Sequence, residues 1–438
     1  MSERLGNRTA PATERGQPAP DAAPVPGWQV ILDGDERDAA SAVVTDIAAA
    51  LAAVPRDETS LAGGSAGRAV LHARLAAQDS AQGDAALTCL RHAAASLRTG
   101  GGPSSLHRGA AGVGWTLAHV AGEVLKDRDR CAGIDRALLR LLDRRPWTGH
   151  VDLMRGLVGI GVYALERLEV PAGPQLLERV VRGLDETAIR DGAYVCWWTP
   201  PEWLWAPVRE RSPRGHVDLG VAHGVPGMIA LLAAACAANV ARNTARPLLE
   251  GAVAWLLDTG LEGAVLPSWW TPDGDRGPAR TAWCYGEPGV AVALLGAARA
   301  VGERDWEDAA LRLAHRAAAR PLEDTGVVDA GLCHGAAGLG LVFARLHQAT
   351  GDPRLRSAAR FWLLHTLDLR VQGTGIAGYT TADADGPVAD PSLLTGATGI
   401  ALALHAATTD REPTWDRVLL LSTATRSATP TAAPTGSE

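Results

Sequence analysis

Apolar residues in this chain gather into seven runs that are hydrophobic on nearly every helical face, and each run follows a Gly-x-x-Gly motif. The motifs begin at Gly64, Gly109, Gly156, Gly224, Gly286, Gly335 and Gly396, roughly 45 to 70 residues apart. A helix that is apolar all round predicts burial on all sides. The run from Val225 to Leu232 is of this kind. The stretches between, such as residues 304–320 and 352–370, mix charged residues with Ala, Leu and Trp at helical spacing, which predicts amphipathic outer helices. The spacing accommodates two helices and their connections, and self-similarity on this scale predicts a repeat architecture. Strand signals are confined to residues 193–198 and 263–270, so the fold class is all-α. Buried inner helices alternating with outer ones can stack as an open solenoid or close into a ring. Glycines at the inner-helix starts allow tight approach and favour closure, and the expected architecture is an α/α toroid of about seven repeats.

Composition narrows the picture further. An apolar content of 47% in 438 residues is ample for one large core. A formal charge of −7 and the absence of a basic run argue against nucleic acid as a partner. Residues 1–27 and 422–438 are rich in Pro, Ala and small polar residues and are expected to be disordered, which leaves 28–421 as the toroid. The first stretch lacks the apolar core of a signal peptide, and no run is long and unbroken enough for a membrane span. Six cysteines in so long a chain do not make a disulfide framework, and the expected location is the reducing cytoplasm.

Chemistry enters through the register of the repeats. Cys284 and Cys333 each lie two residues before a motif's first glycine; His223, Tyr285 and His334 each lie one residue before. Equivalent repeats would bring these side chains out at one end of a ring. Two soft sulfur donors and one imidazole suit zinc and leave a fourth position open, as zinc sites that do chemistry require. The competing reading is that each is a packed residue at a helix start. His107, His119, His216, His347 and His405 lie outside this set and read as surface or helix histidines. Cys196, in Tyr-Val-Cys-Trp-Trp, is a spare cysteine worth following. Trp197-Trp198-Thr199-Pro200 recurs as Trp269-Trp270-Thr271-Pro272, either as an aromatic lip that holds a peptide or as pins for long connections.

Four segments carry a family likeness: Asp152-Leu-Met-Arg-Gly156, Ala222-His223-Gly224, Arg280-Thr-Ala-Trp-Cys284-Tyr-Gly286 and Gly331-Leu-Cys333-His334-Gly335. Through them the chain resembles the lanthionine synthetase C-like family, the LanC cyclases of lantibiotic biosynthesis, over roughly residues 40–422. The resemblance implies a toroid with one zinc ion near an end of its centre. It implies intramolecular addition of peptide cysteine thiols to dehydroalanine or dehydrobutyrine, forming lanthionine or methyllanthionine rings. The expected substrate is a dehydrated precursor peptide. A separate dehydratase and a transporter are the expected partners, in a complex at the cytoplasmic face of a membrane. Two alternatives stand beside this: zinc-dependent addition of glutathione or another free thiol to dehydroamino acids, and a zinc-containing toroid that only binds peptides.

The resemblance also suggests roles. Cys284, Cys333 and His334 are the zinc ligands. His223 matches the active-site histidine and is the candidate acid for protonating Cα; satisfying a helix start is the rival. Asp152 would orient His223, against the rival of a helix cap. Arg280 would stabilise the enolate oxygen, or else form a surface ion pair. Tyr285 would hydrogen-bond substrate or a metal-bound water, or else pack.

Overall fold

The computed structural model describes residues 27–98, 102–124, 129–260, 265–274, 276–277, 280–383 and 386–422. The two segments expected to be disordered lie, apart from Gly27 and Ser422, outside the described residues. The chain opens with α1 (Gly34–Ala52), followed by the pairs α2 (Ser65–Leu75) and α3 (Ser80–Ser96), α4 (Ala110–Val124) and α5 (Ala132–Leu142), α6 (Leu157–Glu166) and α7 (Ala172–Thr187). After a short α8 (Ala206–Arg211) come α9 (Val225–Ala237) and α10 (Arg242–Trp255), α11 (Glu287–Val301) and α12 (Arg304–Ala318), α13 (Ala336–Thr350) and α14 (Pro353–Asp368), and last α15 (Ala397–Thr408).

Every inner helix begins at the residue after its motif's first glycine. These inner helices touch in sequence, from α2 through α4, α6, α9, α11 and α13 to α15, and α15 packs on α2. The architecture is a closed α/α toroid of seven repeats, not an open solenoid. The outer partner of α15 is α1, from the other end of the chain. The segment before α1 strengthens this closure: the Trp28 indole donates to the Ala406 carbonyl at 2.8 Å, and the Ile31 and Leu32 N–H groups donate to Ala407.

The glycines have a steric cause. A Cβ at Gly112 would fall on the Leu106 carbonyl oxygen, and one at Gly338 on the Leu332 carbonyl, each six residues earlier in the turn that leads into the helix. The same clash recurs at the second glycine of all seven motifs. Gly286 adds a conformational demand, because its φ of 123° is closed to other residues. The turns are also stitched to one another. Ala222 N–H donates to Cys284 C=O (3.3 Å), Cys284 N–H to Cys333 C=O (3.2 Å), Cys333 N–H to Leu394 C=O (2.7 Å), Leu393 N–H to Ala62 C=O (2.8 Å) and Ala62 N–H to His107 C=O (2.9 Å). This belt of backbone bonds ties one end of the ring together. Across the lumen runs the 3-10 segment Thr414–Leu419, joined to α13 through Arg345 with Asp416 and to α6 through Arg417 with Glu166.

Strands are few and short, as expected. Of the hairpin β1 (Ile189–Asp191) and β2 (Tyr194–Cys196), β2 falls on the first strand signal and β1 precedes it. Of the pair β3 (Val217–Asp218) and β4 (Trp269–Trp270), β4 falls on the end of the second and β3 had no signal; with Thr199 bridged to His216, the pair draws the two Trp-Trp-Thr-Pro connections together. A third hairpin, β5 (Thr381–Asp383) with β6 (Gly386–Val388), had no clear signal: its three-residue strands are too short to establish an alternation.

Gly112→Ala is expected to destabilise the fold by about 2–3 kcal/mol, since the clashing partner is backbone and cannot yield. Gly296→Ala, in α11 where a Cβ meets nothing within 4 Å, should stabilise by about 0.5–1 kcal/mol. Urea unfolding of the two variants measures both.

Candidate functional site

Four successive turns of the ring, those leading into α6, α9, α11 and α13, supply the candidate residues. Because the turns are stitched in one register, Cys284, Cys333 and His334 come together although up to fifty positions separate them in sequence. Their donor atoms all lie within 4.8 Å of one another, a group that could hold a metal ion. The hydrogen bond from the Cys333 thiol, opposed by burial and reinforced by His334, holds the Cys284 sulfur well below the usual thiol range. Cys333 is pushed correspondingly up by the hydrogen bond it gives and by burial.

The neighbouring turns hold the second constellation. His223 Nδ1 donates to Asp152 Oδ2 at 2.6 Å, which leaves Nε2 uncommitted to that bond; the imidazole is about a third exposed at 33% and lines a cavity. Burial works against the charged form of His223, but the hydrogen bond and the negative charge of Asp152 outweigh it and raise the pKa. Asp152 Oδ1 also accepts the Arg155 backbone N–H at 2.6 Å within the turn, whereas the N-cap of α6 is Gly156 and receives no side-chain bond, so Asp152 is not a helix cap. Tyr285 donates its hydroxyl to Asp218 at 2.9 Å, and its ring stacks at 6.2 Å from His223. Burial, with Asp218 beside it, raises the Tyr285 pKa well above its usual range, so the phenol keeps its proton. Arg280 is exposed and makes no ion pair among the described residues; its charge acts on Cys284, Cys333 and His334.

A cavity of about 700 Å³ opens beside these groups, walled in part by His150, Asp152, His223, Arg280 and Tyr285. Cys284, Cys333 and His334 are not in its wall but adjoin it through Tyr285 and Arg280. The tryptophan connections divide between the two expected uses. Trp197 is a pin, donating to the Leu184 carbonyl at 3.0 Å. Trp203, Trp205 and Trp269 line the cavity, with the Trp203 ring tilted against His150 at 4.2 Å. Cys196 is buried away from the site, and burial raises its pKa to about 11, so it is an inert core thiol.

Two histidines depart from the expectation of ordinary surface or helix residues. His216 is on neither; it is 1% exposed, faces Asp218 at 3.3 Å, stacks on Trp269 at 5.1 Å and lines the cavity. His107 lies two residues before Gly109, the position of Cys284 and Cys333, and is fully buried within electrostatic reach of Asp152 and His223. Burial lowers its pKa to about 4, so it stays neutral. The register that identified the cysteines also marks His107. His119, His347 and His405 are helix histidines as expected. Glu287 had no sequence signal either: fully buried, it accepts from Arg320 (2.8 Å) and the Leu266 N–H (3.0 Å) while Arg320 donates to Thr281, which holds the Arg280–Tyr285 turn from behind.

Fold and site together define a closed α/α toroid with a thiol–imidazole cluster and a His–Asp pair at one end. The profile of the lanthionine synthetase C-like protein family matches residues 55–420, and the chain belongs to that family. Among solved structures it is similar to nisin cyclase, with a TM-score of 0.69 and 19% identity over 88% of this chain and 97% of that one, which supports the fold. Among curated proteins it is 37% identical over 81 residues to glutathione S-transferase LANCL1 of Danio rerio. That alignment spans 18% of this chain and 19% of the relative's length.

Asp152→Asn should lower the His223 pKa, seen as an acid shift of its titration by NMR. A raised histidine pKa contributes stability that is fully present below the ordinary value of 6.5 and lost as pH rises through the folded value, so the variant should also lose that stabilisation at acidic pH.

Proposed function

We propose that this chain is a zinc-dependent lanthipeptide cyclase that adds a peptide cysteine thiol to a dehydroalanine or dehydrobutyrine of the same peptide. The observation that carries the reading is the convergence of Cys284, Cys333 and His334 beside a cavity whose wall holds the bonded pair His223 and Asp152. Two thiols and an imidazole form a donor set that suits zinc and leaves a coordination position for substrate. When bound, zinc supplies the Lewis acidity that ionises a substrate thiol at neutral pH, where a free thiol of pKa roughly 8.5 is mostly protonated.

The remaining work falls to the chain's own residues. A sulfur–carbon bond forms at the β-carbon as the carbon–carbon π bond opens, and negative charge develops on the neighbouring carbonyl oxygen. Arg280, exposed at the cavity and without a carboxylate partner among the described residues, stabilises that charge under this reading. His223, its Nδ1 held by Asp152, delivers a proton to Cα from Nε2. The thiol loses one proton and Cα gains one, so the product has the mass of the substrate. Asp152 keeps His223 in the proton-bearing state, and Tyr285, committed to Asp218, positions the turn beside Cys284. Neutral His107 behind the pair leaves the positive charge on His223. The substrate under this reading is a dehydrated precursor peptide, and a separate dehydratase acts before it.

The alignment with a glutathione S-transferase favours a second reading, in which the thiol comes from glutathione and adds to a dehydroamino acid in another molecule. Mass spectrometry separates the two. Cyclisation leaves the peptide mass unchanged and removes an alkylatable thiol, whereas glutathione addition increases the mass.

His223→Ala is expected to retain zinc and lose cyclisation by about 100- to 10,000-fold, while Cys333→Ala should lose both. Metal analysis and thiol alkylation on a dehydrated, cysteine-containing peptide check the pair; cyclisation at the wild-type rate by the His223 variant would remove that residue from the mechanism.

A further inference from the structure

The cavity wall carries more positive charge than the reaction described above uses. Its two carboxylates are taken: Asp152 by His223 and the Arg155 N–H, Asp218 by Thr199, Tyr285 and His216. Of its three arginines, Arg211 lies over the Trp269 ring at 5.1 Å. Arg155 and Arg280 make no side-chain hydrogen bond or ion pair among the described residues. They occupy different sides of the site. The charge of Arg280 acts on the thiols, and that of Arg155 on His223 and His150.

Arg155 is not a casual surface arginine. It lies one residue before Gly156, the register position that also delivers His223, Tyr285 and His334. Its backbone N–H is fixed by Asp152 Oδ1, whose other oxygen is bonded to His223, so both oxygens of that carboxylate are engaged. In the same wall Trp203 packs tilted against His150, and Trp205 stands 69% exposed, which offers apolar aromatic surface to the same cavity as a five-donor fork. The chain as a whole is acidic at −7, so two unpaired guanidiniums in one cavity are a local feature that attracts an anion. A planar fork next to aromatic rings matches the carboxylate of a peptide.

We propose that Arg155 forms a carboxylate-binding subsite on the His223 side of the cavity, which takes an acidic side chain or the C-terminal carboxylate of the peptide substrate and so selects which dehydroamino acid faces His223. The proposal rests on reading the site as one that adds thiols to a dehydrated peptide. Arg280 acts at the reacting carbonyl; Arg155 anchors the substrate at a distance from it and is a specificity residue.

The test is a binding measurement on zinc-loaded protein, with a dehydrated peptide whose cysteines are alkylated so that turnover cannot occur. One form carries an acidic side chain and a free C-terminus, a second has that side chain as its amide, and a third has a C-terminal amide. Wild type is expected to bind one of the neutralised forms about tenfold more weakly than the parent, and the form that weakens identifies the source of the carboxylate. Arg155→Gln should bind all the forms alike, at the weaker level, and Arg155→Lys should regain part of the discrimination. With unblocked peptide, Arg155→Gln should raise KM and leave kcat unchanged. Equal binding of every form by wild type, or discrimination that survives in Arg155→Gln, overturns the subsite. Lost affinity that is equal across the forms and accompanied by a lowered melting temperature marks a structural arginine and overturns it as well. Cyclisation is scored separately: carboxylate-dependent binding without cyclisation sinks the cyclase reading and leaves the subsite standing, and cyclisation without carboxylate-dependent binding does the reverse.

Discussion

Close approach between each helix-leading turn and the helix it introduces governs the rest of this molecule. Where a Cβ would stand at Gly112 or Gly338, a carbonyl oxygen of the preceding turn already stands. Only glycine permits the turn to fold flat against the helix start, and only flat turns can pass hydrogen bonds from one repeat to the next. The resulting belt through Ala222, Cys284, Cys333, Leu394, Ala62 and His107 sets six of the seven turns at one height. A side chain one or two residues before the first glycine therefore has a fixed address at one end of the ring. Chemistry that needs several groups within a few ångströms is obtained from a single turn design used repeatedly, with different residues written into it.

The positions around this end have diverged by local electrostatics. At two residues before the glycine stand Cys284 and Cys333, whose mutual hydrogen bond lowers the pKa of the first and raises that of the second, and His107, which burial keeps neutral. At one residue before stand His223, charged more readily because of Asp152, and Tyr285, kept protonated beside Asp218. Neighbouring groups of one kind of turn thus hold opposite proton preferences, as acid–base work requires. The loss of a supporting carboxylate would be felt through its partner's protonation state rather than through the fold alone.

Closure of the ring depends on contacts that are distant in the chain. Helix α1 completes the outer layer against α15, and Trp28 and Trp283 tie the N-terminal segment and the turn of Cys284 to Ala406 and Leu419 respectively. The buried network of Glu287, Arg320 and Thr281 braces that same turn from the outer layer. Such supports cost burial of charge, offset by the bonds that Arg320 and the Leu266 N–H give to one oxygen of Glu287.

Much of this was legible in the sequence. A motif recurring with an apolar run behind it specifies inner helices because burial on all faces leaves no other arrangement, and a shared register predicts which side chains emerge together. Cys284, Cys333, His334, His223 and Asp152 were readable on that basis and by family likeness. The burial of His107, the pairing of His216 with Asp218, the bracing by Glu287, the cavity beside Arg155 and the particular contacts of α1 with α15 that complete the ring were not. Each depends on residues brought together across tens or hundreds of positions, and hydrophobic period and local spacing carry no information about distance at that range. The sequence determined the repeat and its register, because these are local; the tertiary structure decided who meets whom across the ring, because only packing sets the distances that make a charge, a hydrogen bond or a cavity.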